Sequence, residues 1–342
     1  AVIVNTDNGT PQLTLAIGTP NVAASYTGGS GTTELTFNYD IAADHNSSDL
    51  DYASTVALAL NGGTINDAAG NAATLTLATP GAANSLGDNS NIIIDNTNPT
   101  VVDVTSTTAN GSYNAGTVIP VVIEFSEAVN VTGSPQLTLE TGDTDVVVDY
   151  SIGTGNAELT FDYTVVAGNE SSDLDYTGTD ALALNGGTIN DASGNAAILT
   201  LAAPGNSGSL GDNRALVIDG IVPTVVDVTS TTAGGSYNDA AAAIPIIIEF
   251  TEAVTVTGIP QLTLATGGAG AAVDYASGSA TELTFTYTIA DGHNSSDLDY
   301  ASTGALGLNG GTINDAAGNP ATLTLATPGD PNSLGDAEAL II

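Results

Sequence analysis

Short strand-like runs recur along the chain, some alternating apolar and polar positions with a period of two, as in AELTFDYTV (Ala157–Val165), and others nearly continuously apolar, as in VIPVVIEF (Val118–Phe125) and ALVID (Ala215–Asp219). The runs are rich in β-branched and aromatic residues. Clusters of Gly, Asn, Asp and Ser interrupt them at intervals of roughly 8–15 residues, the pattern of half-buried strands joined by turns. No stretch carries the period of a long amphipathic helix.

The strand pattern itself recurs. PQLTL begins at Pro11, Pro135 and Pro260; SSDLDY at Ser47, Ser171 and Ser295; SLGD at Ser85, Ser209 and Ser333. Pro11 to Pro135 is 124 positions and Pro135 to Pro260 is 125, so the chain is an array of three copies. LNGGTINDAAGN (Leu60–Asn71) returns as LNGGTINDASGN (Leu184–Asn195) and again at Leu308–Asn319, whereas VVDVTSTTA occurs only at Val101 and Val225. The copies therefore divide as residues 1–97, 98–221 and 222–342, the first lacking its N-terminal strands. Two expectations follow: a window on a longer array, or a subunit completed by a neighbour's strand.

About seven strands per copy predict an all-β chain of tandem Ig-like antiparallel β-sandwiches with Greek-key connections. Each copy is long enough to bury its own core. The aromatic residues occupy repeated positions inside strand patterns, which reads as core packing. Tyr52, Tyr176 and Tyr300 follow Asp-Leu-Asp, where an Ig-like corner tyrosine bonds upstream backbone. The connections Ile92–Val104 and Leu216–Val228 each pass from strand to strand through a few residues holding one proline, which predicts an end-to-end rod.

Charge changes the functional picture. One Lys or Arg stands against 38 Asp and Glu, for a formal net charge of -37. Without a cationic footprint, nucleic acid and direct membrane contact through anionic lipid are excluded. A compact state of this charge repels itself unless salt or bound cations neutralise it, so cations are the expected partners. Asp outnumbers Glu 28 to 10, a bias toward short carboxylates in turns that suits either hard-cation loops or local backbone caps. Cys, Met and Trp are absent, which fits a surface protein free of oxidisable residues.

The ordered string FSEAVNVTGSPQLTLETG (Phe125–Gly142), ELTFDYTVVAGNESSDLDYTGTDALALNGGTINDASGNAAILTL (Glu158–Leu201) and SLGDNRALVID (Ser209–Asp219) closely resembles a known repeat. It is the repeat of a cyanobacterial swimming-motility surface protein, one of the Ig-like and cadherin-like modules of giant bacterial adhesins. The resemblance spans nearly the whole chain and implies an extracellular array with calcium near its junctions. Carried onto this sequence, it points to Asp67, Asp191 and Asp315 in the D-A-x-G-N turns and to Asp95 and Asp219 at strand ends. Asp103 and Asp227 in the next strand, with Glu127 and Glu252, are expected to add oxygens from the following copy. Calcium takes about six to eight oxygens, so two or three carboxylates per ion suffice.

The SSDLDY segments supply a second acidic set: Asp49 with Asp51, Asp173 with Asp175, Asp297 with Asp299. On a strand, both members of a pair would share a face and repel; either an ion lies between them or both are solvated. Catalysis is not expected. There is no Cys nucleophile and no G-x-S-x-G elbow, and the NGG turns lack the Lys of a phosphate loop. His45 and His293 sit where the second copy has Asn169, so each reads as an exposed turn residue. Sequons at Asn8, Asn46, Asn110, Asn130, Asn169 and Asn294 leave glycans possible. The function expected is a stalk, filament or cell-surface layer built with further copies of the repeat; a carbohydrate- or receptor-binding adhesin module is the alternative.

Overall fold

In the computed structural model, which describes residues 1–238 and 242–342, the alternating runs are strands and the chain is all-β, with antiparallel pairing in its large sheets. The helices among the described residues are three single turns, Leu86–Asn89, Leu210–Asn213 and Leu334–Ala337, and none is long and apolar enough to cross a membrane.

The second copy is organised by the long strand Val118–Thr132. Its first half pairs with Asn156–Thr164 on one side and Val101–Ser106 on the other, and its last residues pair with Thr188–Asn190. Beyond Asn156–Thr164 the sheet continues through Val146–Ile152, Gln136–Leu139 and Leu182–Ala183. Alternation sends Ile119, Val121, Ile123 and Phe125 to the same core as Leu159, Phe161 and Tyr163. The third copy repeats the arrangement around Ala243–Thr257 and Ala271–Thr288.

One pairing departs from the antiparallel expectation. The closing strand Leu216–Asp219 is antiparallel to Glu170–Ser171 but parallel to Gly111–Tyr113, and Leu340–Ile341 lies parallel to Gly235–Ser236. Nearly the whole repeat separates these partners, which gives the long crossover a parallel pair needs.

The NGG segments are tight turns between strands that pair with different neighbours, as Leu182–Ala183 pairs with Gln136–Leu139 and Thr188–Asn190 with Val118–Thr132. Asn185 and Gly186 have φ of 47° and 78°, and Gly187 N donates to Leu184 O at 2.8 Å, which defines a type I′ turn. Gly187 is required for a different reason: a Cβ there would sit 2.2 Å from Thr132 O.

Two local expectations are corrected. The hydroxyl of Tyr176 donates to Ala202 O at 2.7 Å, and Tyr52 and Tyr300 do the same to Ala78 and Ala326, so these tyrosines staple downstream rather than upstream backbone. His45 and His293 are half-buried rather than exposed, because each ring stacks on a tyrosine. Nδ1 of His293 accepts from Ala290 N–H and pairs with the Tyr287 hydroxyl at 2.9 Å; in the second copy Asn169 Oδ1 accepts from Val166 N–H and from the Tyr163 hydroxyl, also at 2.9 Å. Asn and His are interchangeable there as acceptors. Asn169 is only 6% exposed, so its sequon is closed in the folded chain.

Candidate metal centre

The D-A-x-G-N turn is built by its own side chains. After the strand Thr188–Asn190, Asp191 N donates to Asn195 O, and Asp191 Oδ1 accepts Asn195 N–H at 2.8 Å, a closed Asx-type loop. Gly194, at φ 95°, supplies the left-handed residue the loop needs. The amide of Asn195 then does two things at once. Its Nδ2 donates to Asp191 Oδ2 at 2.7 Å and to the backbone carbonyl of Asp95 at 3.0 Å. Asn319 repeats both bonds at the second junction, to Asp315 Oδ2 and to Asp219 O, each at 2.8 Å. The residue that ends the closing segment of one copy is thereby fastened to a turn of the next.

That fastening gathers carboxylates. Asp95, Glu127 and Asp191 each present an oxygen within 4.8 Å of the others, and Asp219, Glu252 and Asp315 do the same. Two oxygens on opposite sides of one calcium ion stand about 4.6–5.2 Å apart, so the spread is that of a single coordination sphere. Asp191 and Asp315 are buried, and the other four are half-buried. Glu252 Oε1 is buried without a hydrogen-bond partner. The donor set is all oxygen, which suits hard cations.

The glutamates and Asp191 are tuned in opposite directions. Burial pushes the Glu127 carboxyl up, and the charges of Asp95 and Asp191 push it further; Glu252 is raised by burial and then by Asp219, Asp315 and Glu170. Burial also raises Asp191, but bonds from Asn195, Gly194 and Ser193 outweigh it and hold that carboxyl below its ordinary value. Asp191 is thus favoured as the anion, and Glu127 opposite it is the group favoured to take up a proton when nothing neutralises the cluster.

Six of the expected ligands converge in these triads. Asp67 joins no such group among the described residues; it accepts from Asn71 and Ala69 within its own turn. Asp103 and Asp227 are not in the triads either. A register shift between Val101 and Asp103 displaces the strand, and Asp103 Oδ1 accepts from Asn213 Nδ2 at 2.6 Å beside the short helix. Asp227 lies on the matching displaced strand and accepts from Val228 N–H.

The SSDLDY pairs are not on a regular strand, so their members differ. Asp49, Asp173 and Asp297 are exposed, whereas Asp51, Asp175 and Asp299 are buried. Asp175 accepts Tyr176 N–H and Gly205 N–H, both at 2.9 Å, and Asp51 and Asp299 take the equivalent amides. Gly211 of SLGD leaves room for this, since a Cβ there would sit 2.9 Å from Asp175 Oδ2.

Three contributors escaped the sequence reading. Asn195 and Asn319 are the bridging residues, and their signal was the fixed Asn closing each thrice-repeated turn. Glu170 adds a nearby charge at the second junction only, where the first copy has Asn46, whose Oδ1 accepts from Asn96 N–H. The one guanidinium, Arg214, takes no part: it donates to the backbone carbonyls of Ser106 and Asn213. No family model and no curated protein matches this chain.

Proposed function

We propose that the chain is a structural extracellular array of Ig-like β-sandwich repeats, set end to end as a stalk, filament or surface layer that spaces or attaches cells, with calcium at its junctions. The observation that carries this reading is the composition of each acidic triad: one carboxylate from the preceding copy and two from the following one, within 4.8 Å. An ion there would bond to both copies and fix the angle between them.

The physical need is clear from charge. Three carboxylates this close repel, and a chain of net charge -37 has one cationic side chain to offset them. Hard, oxygen-only donors on a turn, a strand end and a bulged strand give irregular geometry, which calcium accepts more readily than magnesium with its strict octahedron. Because the site needs both copies in place, binding stabilises the joined form by mass action and stiffens the array.

Small-angle scattering on the chain in chelator and then in millimolar calcium tests this. The maximum dimension is expected to sharpen and lengthen with calcium, and thermal stability to rise. Profiles and melting curves unchanged between the two conditions would rule the reading out.

A further inference from the structure

The turn beyond Tyr39, Tyr163 and Tyr287 is built alike in all three copies but closed by two different side chains. A main-chain bond forms each turn, from His45 N to Ala42 O, from Asn169 N to Val166 O and from His293 N to Ala290 O. The residue that ends the turn then accepts from the amide that begins it. Ala42 N–H bonds His45 Nδ1 at 3.0 Å, Ala290 N–H bonds His293 Nδ1 at 3.2 Å, and Val166 N–H bonds Asn169 Oδ1 at 3.0 Å. A main-chain N–H can only donate, so each Nδ1 keeps a free lone pair and the ring proton sits on Nε2.

The same turns grip the connection to the next copy. At the first junction Asn96, the residue after Asp95, donates from its main-chain N to Asn46 Oδ1 at 2.7 Å. Its Nδ2 donates to Ala42 O at 2.9 Å and to His45 O at 3.4 Å. At the second junction Gly220 takes this place: Gly220 N donates to Asn169 O at 2.7 Å, and Gly220 O accepts Gly168 N–H at 3.0 Å. One connection is thus held by a turn closed with an imidazole, and the other by a turn closed with an amide.

We propose that the His45 turn is a pH-sensitive latch on the first junction, and that the Asn169 turn leaves the second junction insensitive to pH. Histidine is the side chain that ordinarily takes up its proton between about pH 8 and pH 5. A proton on Nδ1 occupies the lone pair that Ala42 N–H uses. The Tyr39 hydroxyl can rotate to accept from the new N–H, but the main-chain N–H cannot, and it is left facing another donor. The turn loses that closure, and with it the placement of Ala42 O, His45 O and Asn46 Oδ1 toward Asn96. An amide oxygen gains no proton in this range, so Gly220 stays held. The ionisable groups on the elements around His45 are Asp40 and Asp44 of its own loop, the Tyr39 hydroxyl, and Asp95 beside Asn96; the segment Ala16–Pro20, whose Gly18 faces the ring edge, has none. Acidification would loosen one link of the array and spare the other, whether or not an ion occupies the triads.

Amide exchange followed by NMR on the full chain in chelator, at about pH 7.5 and about pH 5, tests this, with each rate divided by that of the unfolded chain at the same pH. Protection of the Ala42, His45 and Asn96 amides is expected to fall about five- to tenfold at the lower pH, the effect of losing one main-chain bond, and Ala290 should follow. Val166, Asn169 and Gly220 should keep theirs. Glu127 and Glu252 lie one at each junction, so their protonation does not separate the two. His45→Asn copies the second-copy turn and should abolish the loss at Ala42 and Asn96 while leaving that at Ala290. Ring nitrogen shifts at the higher pH should place the proton of both histidines on Nε2. The proposal is overturned if protection at Ala42 and Asn96 is the same at both pH values, if it falls equally at Val166 and Gly220, if His45→Asn retains the loss, or if the neutral rings carry their proton on Nδ1.

Discussion

Replacing Asn319 by alanine separates a junction staple from an ordinary turn residue. Asn319 is 3% exposed, and its Nδ2 donates to the carboxylate of Asp315 and to the carbonyl of Asp219. A hydrogen bond to a charged group contributes about 1.5–3 kcal/mol and a neutral one about 1 kcal/mol, so losing both at a buried position should cost about 2.5–4 kcal/mol. Asn71 provides the internal control: it ends the same motif but is exposed, bonds only within its own turn through Asp67, and holds no preceding copy. The chain has 11 Tyr and no Trp, so urea unfolding in chelator is followed by tyrosine fluorescence, with each transition fitted separately. Asn319→Ala should displace the third-copy transition far more than Asn71→Ala displaces the first. Equal displacements, or a loss below about 1 kcal/mol for Asn319→Ala, would refute the assignment of Asn319 to the junction.

Asn169→Ala leaves the buried Tyr163 hydroxyl without its acceptor and should cost about 1–3 kcal/mol in the second copy, while Asn169→His should be tolerated because the other copies place His there. Chemical denaturation of the pair checks both. Gly187→Ala drives a methyl into Thr132 O and should cost more than about 2 kcal/mol, visible as lost exchange protection along Thr188–Asn190. For pH, a raised glutamate favours the protonated folded state, so the metal-free contribution of Glu127 and Glu252 is lost as pH climbs from about 4.3. The lowered Asp51 and Asp191 act oppositely, contributing above about 3.9 and losing that contribution as pH falls through their folded values. Melting temperatures in chelator should therefore peak near pH 4–5 and decline toward neutrality, and calcium should remove the decline.

Much of the fold was legible because its signals are local. Period-two alternation gave Ala157–Val165 as a strand, the β-branched apolar run gave Val118–Phe125, and the glycines of each NGG segment gave a turn. The triad residues were reached through the family resemblance rather than through a local signal, and the structure brings Asp95, Glu127 and Asp191 within 4.8 Å of one another. Non-local effects were hidden. A single register shift between Val101 and Asp103 turns Asp103 toward the helix Leu210–Asn213, and no pattern along the sequence marks that shift. The parallel pairing of Leu216–Asp219 with Gly111–Tyr113 depends on strands far apart in the chain. Asp51, Asp175 and Asp299 spend their charge on backbone amides brought from 30 residues away, which i, i+2 spacing could not reveal. The Asn bridge was missed because sequence repetition marks duplication and function alike.

Calorimetric titration of metal-free chain with calcium, alongside the double variant Glu127→Gln and Glu252→Gln, tests the junction claim most directly. Glu127 forms none of the turn's bonds and Glu252 Oε1 has no partner, so removing their charge leaves the folded framework intact and relieves repulsion. Wild-type chain should take up calcium at two junction sites and gain stability, while the variant should be the more stable of the two in chelator and gain little from calcium. A variant that binds and is stabilised by calcium as the wild type is would contradict the assignment of the triads as the metal centres.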